Sequence, residues 1–342
     1  MLRRLFLDRR NEWMAGDTLL ELGARASRLA TQYRGATTVR IRVMDVIQRR
    51  LEGSRLSGVM FRLAITPIGL LVLSACASGD AVPADDSFRV MSFNIRYGTA
   101  RDGANHWNKR KGLVVRTVRT YDPDLLGLQE VLPFQARHMQ RALTGHDSYG
   151  PSRQGANGES CTLFWRRDRF EVMAKATFWL SPTPDKTASR GWDAALPRIC
   201  SWVRLHDRRT GCEFVFANTH FDHRGRQARR ESADLIAQRL LAQRPGGKTL
   251  ILTGDFNAAE SSRPLERLRS AGFRDAFRVA HPTAKDVGTF TGFKPRSGGR
   301  KIDYVLVHGA GTVIEAAIDR SCFEGRWPSD HLPVTASLRI PR

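Results

Sequence analysis

Three apolar, strand-like runs in this chain each end in a residue able to bind a cation or move a proton. Phe88-Arg89-Val90-Met91-Ser92-Phe93 leads into Asn94, and Leu125-Leu126-Gly127-Leu128-Gln129 leads into Glu130. Thr249-Leu250-Ile251-Leu252-Thr253-Gly254 leads into Asp255-Phe256-Asn257. A fourth cluster, Asp330-His331, stands in Pro328-Ser329-Asp330-His331-Leu332-Pro333 near the C-terminus. Residues at strand ends along one rim of a sheet converge in space, however far apart they lie in sequence. Such a rim offers oxygen ligands to a hard divalent cation and a base for activating water. The pattern points to metal-assisted hydrolysis.

The segments around these clusters alternate between two periods. Residues 89–94, 125–129, 162–165, 170–178, 199–205, 213–218, 249–253, 301–307 and 333–339 read as strands. Residues 109–120 read as a helix with Leu113, Val114, Thr117 and Val118 on one face. Further helices are expected over 133–143, 226–244 and 262–270, the last with Pro264 in its first turn and Gly272 just beyond its end. Asp207-Arg208-Arg209-Thr210-Gly211 reads as a hairpin turn. Hairpins mixed with crossovers imply α/β architecture, with mixed sheets and helices outside.

The 342 residues carry a formal net charge of +21. Residues 1–75 hold 13 of the 55 basic and 6 of the 34 acidic residues, so residues 76–342 keep a net +14. That excess suits a polyanion or anionic headgroups, and equally an arginine-rich proteome bias. Residues 60–75 combine a methionine, one arginine and an apolar run too short to span a bilayer, just before Cys76. Leu73-Ser74-Ala75-Cys76 looks like a bacterial lipobox, which would leave Cys76 free to carry a lipid. Residues 76–87 would then be a tether and residues 88–342 the folded domain. A signal peptide works at the extreme N-terminus, so this reading starts the protein at Met60 and treats residues 1–59 as a doubtful extension. Location in the cell envelope, by a lipid anchor, is the expectation. Cys161, Cys200, Cys212 and Cys322 remain, either as one or two disulfides or as free thiols.

Residues 88–342 resemble the endonuclease/exonuclease/phosphatase superfamily of metal-dependent phosphohydrolases. The resemblance is carried in order by Met91-Ser92-Phe93-Asn94-Ile95-Arg96, Leu128-Gln129-Glu130, Asn218-Thr219-His220, Gly254-Asp255-Phe256-Asn257, Ile302-Asp303-Tyr304 and Ser329-Asp330-His331. It implies a four-layer αββα sandwich: two mixed β-sheets face to face, with helices on both outer faces. It further implies that Glu130 is the principal carboxylate for Mg²⁺ (Mn²⁺ a possible substitute), with Asn94 beside it and Asp330 reaching the ion directly or through water. Asp255 would orient and deprotonate the attacking water, and Asn257 would hold that water or a phosphoryl oxygen. His331, oriented by Asp303, would face the scissile phosphate, and His220 would donate to a phosphoryl oxygen.

Departures narrow the branch. DNA-repair members usually place Asn or Asp where Arg96 stands, and tend to lack His at the position of His220. Asn218-Thr219-His220 is more similar to the deadenylase, phosphatase and sphingomyelinase branches. Trp192-Asp193-Ala194-Ala195-Leu196-Pro197-Arg198 and His220-Phe221-Asp222-His223-Arg224-Gly225 are similar to bacterial secreted members, which nominates Arg198, Asp222 and His223 as substrate contacts. Arg198 suits a pair of phosphate oxygens, or alternatively a surface salt bridge. The expected activity is hydrolysis of a phosphate ester, in a nucleic acid, a phospholipid headgroup or a small phosphomonoester, by a monomer. The competing readings are an idle binding protein with a basic cleft and a hydrolase of a non-phosphate substrate such as a glycan.

Overall fold

Eight of the twelve strands among the described residues are buried along most of both faces, and alternation along each sorts its side chains into separate cores. The computed structural model describes residues 86–294 and 299–341, all within one compact unit, Pro83–Arg342. The signal-like segment and Cys76 lie outside the described residues. The first half of the unit runs β1 (Phe88–Asn94), α1 (Trp107–Tyr121), β2 (Leu125–Val131), α2 (Pro133–Ala142), β3 (His146–Tyr149), β4 (Ser160–Arg166), β5 (Phe170–Trp179) and β6 (Ile199–Asp207). It continues with β7 (Glu213–His220), α3 (Arg226–Ala242), β8 (Leu250–Asp255), α4 (Arg263–Ser270), β9 (Arg274–Asp275), α5 (Ala276–Ala280), β10 (Asp303–His308), β11 (Thr312–Ile318) and β12 (Val334–Arg339).

The strands form two six-stranded mixed sheets, ordered β11-β12-β1-β2-β4-β3 and β5-β6-β7-β8-β10-β9. The pairs β1–β2 and β7–β8 are parallel. On β1, Phe88 and Val90 enter the core between the sheets, with Leu125, Leu163, Phe214, Phe216, Ile251 and Val305. Met91 and Phe93 alternate to the outer side, against Val114 and Val118 of α1 and Met139 of α2. On the other sheet Val215, Ala217, Leu250 and Leu252 pack against Ile236 and Leu240 of α3 and Leu265 and Leu268 of α4. This is the expected αββα sandwich. Each fully buried Phe or Leu contributes roughly 1.5–3 kcal/mol, so a one-residue slip of β1 would forfeit both cores at once.

Toward one end, the inward-facing positions change from apolar to polar. They are Ser92 and Asn94 on β1, Gln129 on β2, Asn218 and His220 on β7, Thr253 and Asp255 on β8, and Asp303 on β10, all buried. Gly127 lets the sheets approach here, because a Cβ on it would overlap Thr253 Oγ1 and come within 2.9 Å of the Asn218 side chain. Asn218 fills the gap. Its Oδ1 accepts from Gln129 Nε2 at 2.7 Å and Thr253 Oγ1 at 3.1 Å, and its Nδ2 donates to Leu128 O at 2.8 Å. This buried network, in which both ends of the Asn218 amide are bonded, joins the two sheets in one register.

Every strand and helix expected from periodicity is present, with ends shifted by a few residues. Strands β3, β9 and β11 and the one-turn helix α5 were not legible. The edge strand β11 exposes Thr312, Glu315, Ile314 and Ala317, so neither face shows a buried alternation. The four remaining cysteines are free thiols, with Cys161 and Cys200 buried. Among the described residues, no helix is long and apolar enough to cross a membrane.

Candidate active site

Strand alternation delivers four of the eight residues nominated for metal binding and catalysis. Asn94, His220 and Asp255 share parity with the inward residues two or four positions earlier, and Asp303 with Val305 and Val307 after it, while parallel register places His220 opposite Asp255. Antiparallel register places Asp303 opposite the same Asp255. Glu130 does not follow this rule. Leu128 faces outward, so a regular strand would send Glu130 outward too. The backbone at Glu130 instead takes φ 61°, and the pairing of β2 with β4 slips between Leu128 and Val131. Such a bulge re-aims a side chain. Arg96 (φ 55°) and Asn257 (φ 46°) are also left-handed at this rim. Non-glycine residues in that region cost of order 1–3 kcal/mol each and gather where the surrounding structure imposes them.

One amide organises the acidic groups. Asn94 Nδ2 donates to Glu130 Oε1 at 3.1 Å and to Asp255 Oδ2 at 3.0 Å, while its Oδ1 accepts from Arg96 N at 2.9 Å. Glu130 Oε2 accepts from Tyr97 N at 2.9 Å. Asp255 Oδ1 accepts from Asn257 N at 2.9 Å, and Asn257 Nδ2 lies 3.1 Å from His220 Nε2. Asp255 Oδ2 lies 3.4 Å from His220 Nε2 and 3.8 Å from His331 Nε2. Asp303 Oδ2 meets His331 Nδ1 at 2.9 Å. Asp330 lies beside this group. Its Oδ1 accepts from Ser329 Oγ at 3.2 Å, and its Oδ2 is 3.7 Å from Arg96 Nε.

Burial and crowding set the charges. Burial pushes the Asp255 carboxyl well above the usual carboxylate range, the neighbouring Asp303 adds to that, and His331 opposes it. Burial also raises Asp330, with Glu130 repelling it. For His331, burial favours the neutral ring, but Asp303 and Asp255 outweigh it and hold the imidazole protonated. Burial, together with Arg198 and Arg153, keeps His220 neutral. Two histidines within reach of one carboxylate therefore carry different charge.

These residues fit a hard divalent cation. Glu130, His220 and Asp255 offer ligand atoms within 4.8 Å of one another, as do Asp255, Asp303 and His331. The raised carboxyls of Asp255 and Asp330 mark a surplus of buried negative charge that a cation would relieve. Glu130 and Asn94 would hold it, with Asp330 nearby, and Mg²⁺ needs no larger protein ligand set.

The three nominated substrate contacts sit to the side, next to His220. Arg198 is buried, with Nη2 3.1 Å from His223 Nδ1 and Nε 3.5 Å from Asp222 Oδ2. It is not the surface salt bridge that was its alternative. Asp222 is committed to the main chain, accepting from Leu196 N at 3.1 Å, Arg224 N at 3.0 Å and Gly225 N at 2.7 Å. Burial opposes its charge, but those amides hold its carboxyl down to about 2. His223 is half-exposed.

Sequence reasoning missed several residues that shape the site. Ser329 Oγ donates to Asn94 O at 2.7 Å, joining the His331 loop to β1. Thr289 Oγ1 accepts from Asp303 N at 3.1 Å. Arg96 pairs with Asp102 through Nε at 3.2 Å and Nη2 at 3.1 Å. Arg110 is fully buried on α1, and its spacing to Val114, Thr117 and Val118 was the available signal: a charge on an apolar stripe.

Comparison with known proteins agrees with this fold. A family model described as "Endonuclease/Exonuclease/phosphatase family" matches residues 91–331. Nocturnin of Xenopus laevis is 24% identical over 296 residues, covering 74% of this chain and 72% of that protein. Drosophila melanogaster nocturnin is 27% identical over 316 residues, covering 75% of this chain and 47% of that protein. Among solved structures, an endonuclease/exonuclease/phosphatase family protein from Bacteroides thetaiotaomicron is 36% identical with a TM-score of 0.68, covering 74% of this chain and 94% of that one. A mannosyl-6-phosphatase of the same organism is also 36% identical, with a TM-score of 0.67, covering 73% and 99%. Two packed mixed sheets, a carboxylate and amide rim at their shared edge and a matching model over the whole span lead to one assignment: the chain belongs to the endonuclease/exonuclease/phosphatase family.

Proposed function

We propose that this member of a phosphoester hydrolase family is a Mg²⁺-dependent phosphatase acting on a compact phosphomonoester of the sugar-phosphate kind, with Mn²⁺ as a substitute ion. The observation that carries the reading is the single Asn94 amide between Glu130 and Asp255, 3.1 and 3.0 Å away. It sets the proposed cation-binding carboxylate and the proposed water-activating carboxylate on either side of one shared donor. The likeness to a mannosyl-6-phosphatase over nearly its full length favours a small sugar phosphate over a polymer.

When bound, the cation neutralises charge on the phosphoryl oxygens and on the surrounding carboxylates. The protein's own residues account for the rest. Asp255, raised by burial, is a stronger base than a surface carboxylate and takes the proton of a water held by Asn257. Protonated His331 faces the phosphoryl oxygens as their negative charge grows, and Asp303 keeps it oriented and charged. Neutral His220 offers one hydrogen bond without repelling the cation.

The test is a screen of the purified full-length chain, with Mg²⁺ and with EDTA, against sugar phosphates, p-nitrophenyl phosphate, DNA, RNA, phosphoinositides and sphingomyelin. Mg²⁺-dependent release of inorganic phosphate from sugar phosphates is expected. Turnover confined to nucleic acid would replace this substrate with a polynucleotide, which the basic charge also suits. Binding without turnover of any ester would support an idle binding protein. The Leu73–Cys76 lipobox further supports anchoring in the cell envelope; unchanged membrane partitioning and processed size in Cys76→Ala would remove that part.

A further inference from the structure

Arg110 is the largest fully buried side chain of the described residues, and none of its observed hydrogen bonds goes to a carboxylate. Nη1 donates to Ile95 O at 2.6 Å and to Pro328 O at 3.0 Å. Nη2 donates to Arg96 O at 2.9 Å, and Nε to Asn105 O at 2.8 Å. The guanidinium lies over the rings of Trp107 at 5.3 Å and Phe293 at 5.5 Å. A buried cation persists only when its donors are satisfied, so these carbonyls are its condition for being there.

The carbonyls belong to segments that ordinary secondary structure leaves unconnected. Ile95 and Arg96 directly follow Asn94, and Pro328 lies two residues before Asp330. A rigid planar fork is suited to holding several acceptors at set angles, which a lysine cannot do. Ser329 Oγ, which bonds Asn94 O, closes the same junction from the other side.

We propose that Arg110 is a positioning residue that sets the separation between the Asn94 and Asp330 ends of the cation site, and so sets the affinity of that site. The inference rests on the metal reading given above. Arg110 touches neither ion nor substrate. It acts through the two loops, as residues behind metal ligands do when their loss costs roughly 10–100-fold in affinity.

The experiment measures Mn²⁺ dissociation constants of the full-length chain by electron paramagnetic resonance, alongside Tm and kinetics on p-nitrophenyl phosphate. Arg110→Met should weaken Mn²⁺ binding by roughly 10–100-fold, and Arg110→Lys by a smaller factor. At saturating Mg²⁺ kcat should largely return, with KM for the ester little changed. Arg169→Met is the control. Arg169 is an equally buried arginine that bonds Asp207 at 3.0 Å and Ser87 O at 2.8 Å, at the opposite end of β1. It should lower Tm while leaving the Mn²⁺ constant within about twofold, as expected for a distant site. Should Arg110→Met fail to fold, Arg110→Lys decides. Wild-type Mn²⁺ affinity in a folded Arg110 variant, or equal weakening in Arg169→Met, overturns the proposal alone. A wild-type chain that binds no Mn²⁺ overturns the metal reading together with it.

Discussion

Asp303 Oδ2 lies 2.9 Å from Nδ1 of His331, and this pairing keeps a fully buried imidazole protonated. Burial by itself would leave the ring neutral, and Asp255 adds to the effect of Asp303. The two residues come from β10 and from the loop before β12, 28 positions apart in the chain. The pairing leaves Nε2 of His331 facing Asp255 at 3.8 Å, which is where a phosphoryl oxygen would need a positive partner.

Asp303→Asn is expected to move the alkaline limb of kcat to lower pH. Losing a charge-assisted hydrogen bond costs about 1.5–3 kcal/mol, which corresponds to roughly 1–2 pH units on the imidazolium. An alkaline limb that stays in place in a folded Asp303→Asn protein would remove His331 from this role.

Cation-free protein is expected to lose stability as pH rises. Asp255 and His331 both have folded values raised above their unfolded ones. Their contributions are complete below the unfolded values, near 4 and 6.5, and are lost as pH climbs through the raised folded values. A bound divalent cation would take the place of the lost protons. The Tm gain from Mg²⁺ should therefore grow between pH 6 and 9, and a gain that is flat with pH contradicts the charge assignment.

Asp255→Asn should lower kcat by roughly 10²-fold or more with little change in KM, because the proton acceptor is needed only in the transition state. Wild-type turnover in this variant would sink Asp255 as the base.

In Glu130→Gln the Mg²⁺ response should be lost, since an amide is a weaker ligand for a hard cation than a carboxylate. The measurement is initial rate against Mg²⁺ concentration. A half-saturating concentration equal to that of the wild type would exclude Glu130 as the principal ligand.

Gly127→Ala tests the closeness of the sheets rather than the chemistry. Its Cβ would overlap Thr253 Oγ1 and crowd Asn218, which already bonds across both sheets. Forcing extra volume into such a contact costs typically 1–3 kcal/mol, to be read from denaturant unfolding. A change below about 0.5 kcal/mol would mean that the sheets can part here without cost.

Much of the fold was legible because strand and helix periods are local properties. Runs such as 89–94 and 249–253 carry enough alternating apolar residues to specify both faces. Strand β11 was not legible, since a register shift between Val313 and Glu315 breaks the period of two among its core-packed residues Val313, Ala316 and Ile318. Arg198 shows the same limit in the site. Its charge was plain in the sequence, but only the packed structure buries it against His223 and Asp222.

The sequence by itself determined that Asn94, His220, Asp255 and Asp303 would meet. Each ends or begins a strand, and a period of two leaves its side chain one direction in which to point. Tertiary structure alone decided the rest. Glu130 reaches the site only because β2 bulges and its backbone turns left-handed, against the direction its own parity dictates. Arg110 becomes a positioning group only once a carbonyl 218 residues away in the chain, that of Pro328, folds against it. Alternation is written residue by residue, whereas a bulge and a buried cation are settled by neighbours that the chain supplies only after it has folded.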